Sequence, residues 1–248
     1  MKHLDLFSGI GGFSLGLEAT KRIKTVAFCE IDSFCTKVLN KNWPTVPVYN
    51  DIKELTYEKL KSDGIESIDI ITGGYPCQPF SVAGNKKGVE DPRHLWPEYF
   101  RLIKECRPTW IIGENVAGHI KLGLDAVQED LESEGYAFRT FSISASSIGA
   151  NHKRERVWII ANLADSEGSN RDEHEINREH GKASSQEIFG NGSSVSGVST
   201  WWSVEPDVGR VAHGVPNRVD RLKCLGNSVV PQIPYVIGLS IKKILENE

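Results

Sequence analysis

The sequence contains no apolar run approaching the ~18 residues that a membrane-spanning helix needs. We also expect no secretion signal, because a strand-like segment begins almost at once, at residues 2–7. We therefore expect a soluble, cytoplasmic protein.

The cysteines show neither CxxC spacing nor a companion pair of histidines, so the sequence lacks a zinc-binding pattern. There are five of them, at positions 29, 35, 77, 106 and 224. An odd number of scattered cysteines predicts reduced thiols and leaves room for one reactive thiol.

The chain also lacks the basic excess that is typical of nucleic-acid binders, since its net charge is −4. The acidic surplus lies in residues 165–200, which hold seven acids and three bases, so the remainder is neutral. Local basic groups such as 86–87 and 153–156 can still meet phosphates, and charge alone does not decide the partner. Residues 165–200 hold only six apolar side chains, which is too few for a core of their own, and we expect them to be partly mobile.

What is present is an alternation of strand-like and helix-like segments. Apolar runs near 2–7, 25–29, 68–71 and 110–112 alternate with amphipathic stretches, and further strands are predicted at 138–145 and 157–160. This pattern predicts an α/β fold, with a mostly parallel sheet and helices on both faces. The last residues, from 230 onward, are predicted to form a closing helix on the same domain.

One cysteine has an unusual setting. Cys77 lies in the segment GGYPCQPFS, residues 73–81, directly after the buried run Ile68–Ile71 and between two prolines. A rigid thiol at the end of a strand suits covalent catalysis. A small buried hydrophobic cysteine is an equally good interpretation of this feature alone.

A glycine turn follows the first strand, in FSGIGG at residues 7–12, and Glu30 comes 19 residues after Gly11 at the tip of the next strand. That spacing is typical of an acid that binds ribose hydroxyls in nucleotide-binding α/β folds. Because the glycines do not form GxGxxG, a cofactor without a diphosphate, such as S-adenosylmethionine, fits better. A tight turn without a ligand remains the alternative.

Three other segments carry candidate residues. Glu114 lies in the segment 113–116, which directly follows the strand 110–112, and it could share a proton with a ring nitrogen or simply cap a helix. Alternation puts Arg154 and Arg156 on one face, where they suit phosphate or a carbonyl oxygen, although a solvated edge strand explains them too. The segment 221–231 holds a Gly-Asn turn signal or the start of a helix.

Taken together, these segments resemble the DNA (cytosine-5) methyltransferase family, over nearly the whole chain except about 164–217. The matching motifs occur in the family's order: DLFSGIGG, FCEID, NDI, GGYPCQPFS, GENVAG, HKRERVWII and RLKCLGNSVVPQIP. The resemblance implies a Rossmann-like methyltransferase fold with a small target-recognition lobe. It divides the chain into a catalytic domain, 1–163, a variable target-recognition region, 164–217, and a returning C-terminal segment, 218–248.

The resemblance also implies roles for individual residues. Cys77 would attack C6 of a flipped-out cytosine, with catalytic support from Glu114, Arg154 and Arg156. The methyl donor would be S-adenosylmethionine, bound by Phe7, Gly9, Gly11, Glu30, Asp51, Ile52, Asn227 and Ser228. Double-stranded DNA would be contacted by Gln78, Ser81, Lys86 and Arg93. No metal is implied.

Two departures from the family pattern stand out. His152 replaces the usual glutamine, and the variable region, which reads the target sequence in the family, is short and initially acidic. The resemblance implies a bacterial or phage enzyme, monomeric, with or without a separate cognate restriction endonuclease. The open alternatives are a tRNA cytosine-5 methyltransferase of the same family and a DNA-binding module that flips cytosine without turnover.

Overall fold

The fold is available from a computed structural model of the chain, which describes residues 1–76, 95–121, 123–163 and 217–246. Cys77, Gln78, Ser81, Lys86 and Arg93, together with almost all of the variable region, lie outside the described residues.

The centre of the fold is a seven-stranded sheet with the order β3-β2-β1-β4-β5-β7-β6. All pairs from β3 to β5 are parallel, whereas β7 runs antiparallel to both of its neighbours. The strands are β1 Lys2–Leu6, β2 Lys24–Cys29, β3 Val48–Tyr49, β4 Ile70–Gly73, β5 Trp110–Val116, β6 Tyr136–Ser144 and β7 Glu155–Leu163.

Helices cover both faces of this sheet, as expected. Their bounds are α1 Gly12–Glu18, α2 Ser33–Asn42, α3 Tyr57–Ser62, α4 Trp96–Cys106, α5 Leu124–Ser133, α6 Arg218–Asn227 and α7 Gln232–Leu245. One face packs against α4 and α5 through residues such as Tyr99 and Leu131, and the other packs against α1 and α7 through Phe13 and Ile237. The predicted α/β fold with a mostly parallel sheet is therefore confirmed.

The order of the strands determines where a ligand can bind. From β1 the chain moves outward through β2 to β3, and it then returns to the other side of β1 to form β4 and β5. In open α/β sheets, the carboxyl ends of the two central strands on either side of such a reversal form a crevice. Here that crevice lies between the ends of β1 and β4.

The C-terminal helix packs unusually closely on the first one. A Cβ on Gly16 of α1 would lie 2.1 Å from the carbonyl oxygen of Pro231, and one on Gly238 of α7 would lie 2.9 Å from Thr20 Cγ2. Only glycine permits this approach, which brings Ile233, Ile237 and Ile241 into the core. In the described part of the chain, one stretch, Arg218–Leu245, is long and apolar enough to cross a membrane by length and composition alone, with mean hydropathy 1.2 over its best 18-residue window. The apolar face of α7 is nevertheless occupied by the core.

Three local expectations need correction. Strand β5 continues through Glu114 to Val116, so Glu114 lies within a strand and caps no helix. Strand β7 lies between β5 and β6, so it is not an edge strand. The Gly-Asn pair at 226–227 forms the last turn of α6 and not a separate turn.

Candidate active site

The glycine turn joins β1 to α1 through a backbone that side chains rarely adopt. The φ angles are 54° at Gly9 and 85° at Gly11, and even Phe7 has a φ of 51°. Ser8 holds the turn in place, because its hydroxyl donates to the carbonyl of Asp5 at 2.5 Å and its N–H donates to that of Cys29 at 3.2 Å. The turn therefore lies at the carboxyl ends of β1 and β2.

Glu30 is bound directly to this turn. Its Oε2 accepts a hydrogen bond from the N–H of Gly9 at 2.7 Å, and its Oε1 accepts one from the N–H of Asp32 at 2.7 Å. Each oxygen keeps a second lone pair, and the residue is only partly buried. A carboxylate fixed in this way can accept hydrogen bonds from neighbouring hydroxyl groups of a ligand.

Asp51 and Ile52 follow β3 beside the same edge. Asp51 caps a turn, since its Oδ1 accepts from the N–H of Lys53 at 2.9 Å, and Ile52 is buried in the core. Burial raises the pKa of the Cys29 thiol to about 12, and the charges of Glu30 and Asp51 add to the effect. Both carboxylates therefore lie near the end of β2.

Sequence reasoning missed a buried polar network beneath the turn. Asp5 accepts hydrogen bonds from the Ser14 hydroxyl at 2.7 Å and from the Thr72 hydroxyl at 3.3 Å, and Thr72 also contacts His3 Nε2 at 2.8 Å. Ser14 belongs to the first turn of α1, so Asp5 holds that helix from within the sheet. The sequence signal for this network is that His3 and Asp5 alternate with apolar residues within the buried part of strand β1.

Burial dominates the protonation of this network. It raises the pKa of Asp5 to about 7, against the opposing effect of the hydrogen bonds from Ser14 and Thr72. It lowers the pKa of His3 to about 3. A neutral histidine and a carboxyl group that readily keeps its proton therefore lie side by side.

Glu114 and Arg156 form an ion pair at the same end of the sheet. Glu114 lies opposite Trp158 on β7, and Arg156 lies two residues from Trp158 on the same face, which brings Nε within 3.1 Å of Oε1. Burial raises the pKa of Glu114, and the positive charges of Arg156 and Arg154 act against it. The pair can present both a proton donor and a cation to a polar ring.

The chain that leads to Cys77 is anchored beside this pair. A Cβ on Gly74 would lie 3.2 Å from Oε2 of Glu114. The side-chain amide of Asn115 donates to the carbonyl of Tyr75 at 3.1 Å, and the Tyr75 hydroxyl bonds with His119 Nε2 at 2.8 Å. Roles for Tyr75 and His119 were not foreseen, although both are buried.

Arg154 has a different arrangement from the one that alternation predicts. It precedes β7 and has a φ of 31°, so the rule of alternating faces does not apply to it. Its guanidinium donates to the carbonyls of Gly226 and Ser228, at 2.8 and 2.7 Å. Arg154 therefore ties the C-terminal segment to the sheet.

That segment lies directly over the glycine turn. A Cβ on Gly12 would lie 2.5 Å from the carbonyl oxygen of Val229. Asn227 is exposed at the end of α6, and Ser228 is partly buried. Two segments far apart in sequence thus form adjoining parts of one rim.

Comparisons with known proteins show the family of the chain. The family model for C-5 cytosine-specific DNA methylase matches residues 1–200. The type II methyltransferase M.HgiCII of Herpetosiphon aurantiacus is 37% identical over 164 residues, which are 64% of this chain and 36% of that protein. The type II methyltransferase M2.BsuMI of Bacillus subtilis is 36% identical over 172 residues, which are 66% of this chain and 42% of that protein. The chain thus matches well under half the length of these relatives.

Two solved structures have a similar fold. A DNA modification methyltransferase encoded within an E. coli prophage has a TM-score of 0.57 at 30% identity, over 66% of this chain and 47% of that one. The Dnmt2 methyltransferase of S. pombe has a TM-score of 0.66 over 98% and 99% of the two chains, and at 18% identity it supports the fold alone. Since the family model covers more than half of the residues, the chain belongs to the C-5 cytosine-specific DNA methylase family.

Proposed function

We propose that this chain transfers a methyl group from S-adenosylmethionine to C5 of a flipped-out cytosine in double-stranded DNA, with Cys77 as the nucleophile. The observation that carries the proposal is the Glu114–Arg156 pair, which lies against Gly74, three residues before Cys77. The glycine turn and Glu30 occupy the neighbouring strand ends of the same sheet.

The described residues fit S-adenosylmethionine. The fixed Glu30 carboxylate suits two ribose hydroxyls, and Gly9 and Gly11 leave room for the backbone to approach a ligand. We assign Phe7, Asp51 and Ile52 to the adenine side, and Asn227 and Ser228 to the rim. When bound, the cofactor supplies a methyl group on a positively charged sulfur, which is an electrophile.

Cys77 starts the chemistry. Attack needs its thiolate, which adds to C6 of the cytosine, and the electron pair of the C5–C6 double bond then makes C5 a nucleophile. The aromatic ring must leave the duplex stack first, because C6 cannot be reached inside it. After methylation, C5 loses its proton to a base, the double bond re-forms, and the C6–S electron pair returns to Cys77.

Glu114 and Arg156 stabilise the charge that develops on the ring. The raised pKa of Glu114 favours a carboxyl group that donates to N3 while its other oxygen accepts from the exocyclic amine. Arg156 would point to the cytosine O2. Arg154 would act by supporting the rim through its bonds to Gly226 and Ser228.

DNA contacts are assigned to Gln78, Ser81, Lys86 and Arg93, and target reading to region 164–217. Relatives named as type II methyltransferases support a modification enzyme with or without a separate cognate endonuclease, which we propose to be monomeric and cytoplasmic.

The test is methyl transfer from labelled S-adenosylmethionine to unmethylated duplex DNA and, in parallel, to tRNA. We expect the label in DNA, as 5-methylcytosine, and none with the Cys77→Ala variant. Label in tRNA alone would assign the chain to the RNA substrate. No label in either, with retained binding to DNA, would leave a cytosine-binding module.

A further inference from the structure

Two of the five cysteines meet, although 189 positions separate them. The sulfur atoms of Cys35, in α2, and Cys224, in α6, lie 2.7 Å apart, and each residue is 4% exposed. Neither takes part in the reaction proposed above. The scattered positions in the sequence gave no sign of this contact.

The contact joins the buried position of α6 to α2. Cys224 is the one buried residue of this helix. The other bonds between α6 and its surroundings include an exposed ion pair from Lys223 to Asp32 at 2.7 Å and the Arg154 bond to Gly226. A covalent bond at Cys224 would therefore change how firmly the helix is held.

A metal ion explains the cluster less well. Asp32 is the third candidate ligand, and its oxygen lies within 4.8 Å of both sulfurs. However, Asp32 Oδ1 already accepts from the N–H groups of Phe34 and Cys35, and Oδ2 accepts from the Lys223 ammonium. A dication would have to compete with that ammonium and with the helix N-terminus.

We propose that Cys35 and Cys224 form a reversible disulfide, which fixes α6 and the segment after it to α2. A low-molecular-weight disulfide is the oxidant. One protein thiolate attacks it, forms a mixed disulfide and expels one small thiolate, and the second protein thiolate then displaces the other. Overall, two protein thiols lose two protons and two electrons, and one small disulfide becomes two small thiols.

The surroundings determine when this exchange takes place. Burial, followed by the contact with Cys224, raises the pKa of Cys35, and burial also raises that of Cys224. Few thiolates therefore form while α6 is docked, and the exchange begins when α6 opens. Val229 lies against Gly12 in the docked arrangement, so the disulfide would hold this segment in place above the glycine turn.

The test uses the whole chain and oxidised glutathione. Wild-type protein, Cys35→Ser and Cys224→Ser are incubated, alkylated, digested without reduction and analysed by mass spectrometry. Cys106→Ser is the matched control, since this buried cysteine lies outside the pair. We expect a peptide joining 35 to 224 in wild type and in the control alone. Amide exchange at 218–231 should slow at least about threefold on oxidation and recover with dithiothreitol.

Three results would overturn the proposal, and each can be read from wild-type protein even if a variant fails to fold. The first is glutathione attached to single cysteines without the joined peptide. The second is a joined peptide that contains Cys77 in place of Cys35 or Cys224. The third is zinc that copurifies at one equivalent and whose removal by a chelator frees both thiols for alkylation.

Discussion

The guanidinium of Arg154 donates a hydrogen bond to the carbonyl oxygen of Ser228 at 2.7 Å, and this bond connects the start of β7 with the segment between α6 and α7. A second hydrogen bond runs from the same guanidinium to the carbonyl oxygen of Gly226, so Arg154 binds two carbonyl groups at once. A planar guanidinium suits this geometry, whereas a lysine ammonium is a point charge.

Arg154→Lys should therefore loosen the segment 226–231. Loss of one charge-assisted hydrogen bond costs about 1.4 kcal/mol, so amide exchange there should accelerate roughly tenfold. Hydrogen exchange with mass spectrometry measures this directly. Arg156→Lys is the control: it should reduce methyl transfer and leave exchange at 226–231 unchanged. Equal amide exchange at 226–231 in the two variants would contradict the role of Arg154 in holding this segment.

Cys77→Ser should abolish methyl transfer, to below about one thousandth of the wild-type rate, because a hydroxyl is a far weaker nucleophile than a thiolate. Binding of S-adenosylmethionine, measured by calorimetry, should be retained. Cys106→Ser should leave both properties intact, since this cysteine is buried at the end of α4. Wild-type turnover in the Cys77 variant would refute its role.

Glu30→Ala should weaken binding of S-adenosylmethionine by at least about tenfold, or ~1.4 kcal/mol. The substitution removes the carboxylate that we propose as the acceptor for ribose hydroxyls, and it also releases the N–H groups of Gly9 and Asp32. Glu54→Ala, at an exposed position, should bind normally. An unchanged dissociation constant in Glu30→Ala would exclude a cofactor contact at this carboxylate.

Asp5→Asn should make the stability of the protein depend on pH between about 4 and 6.5, a range in which two opposite effects cancel in wild-type protein. Burial raises the pKa of Asp5 from 3.8 to about 7, so the protonated side chain stabilises the folded state. This contribution to the free energy of unfolding is complete below about pH 3.8 and is lost as the pH rises to about 7. The lowered pKa of His3, about 3, has the opposite sign: its stabilisation is complete above about pH 6.5 and lost on acidification. Between about pH 4 and 6.5 the two effects cancel.

In the Asp5→Asn variant only the histidine effect remains. As the pH is lowered from 6.5 to 4, the free energy of unfolding of the variant should then fall relative to that of wild type by about 1.4 kcal/mol for each pH unit. Urea unfolding at pH 6.5, 5.5 and 4.5 gives the difference, and Glu54→Gln serves as an exposed control. Parallel curves for Asp5→Asn and wild type would show that the pair does not titrate in this way.

Gly16→Ala should destabilise the protein, because the new methyl group would lie 2.1 Å from the carbonyl oxygen of Pro231. Forcing α1 and α7 apart costs about 3 kcal/mol, which lowers Tm by about 6–12 °C. Gly226→Ala is the matched control, since a Cβ there meets nothing within 4 Å. Similar melting temperatures for the two variants would argue against close packing of these helices.

Local patterns in the sequence predict the sheet and part of the site. Apolar runs locate β1, β2 and β4, and the spacing from Gly11 to Glu30 anticipates the bond between Gly9 and Glu30. Such signals come from residues that are close in sequence, within one βαβ unit. The motif order, through the resemblance, adds Glu114 and Arg156, which the register of β5 and β7 does bring together.

Other features depend on contacts that no local pattern encodes. The positive φ of Arg154 removes it from the strand alternation, and its partners lie more than 70 positions away. The approach of Cys35 to Cys224 and the bond between His3 and Thr72 likewise arise only when the sheet and the C-terminal helices assemble. Tertiary packing, and not propensity, determines these positions.

The close packing of α7 on α1 has a consequence for biosynthesis. A ribosome completes α1, which ends at Glu18, more than 200 residues before it completes α7, which ends at Leu245, yet Phe13 and Leu17 share their core with Ile237 and Ile241. Until residue 245 has been translated, this face of the nascent sheet is uncovered. The part of the chain made before α7 should then depend on chaperones, and a product truncated before α7 should aggregate.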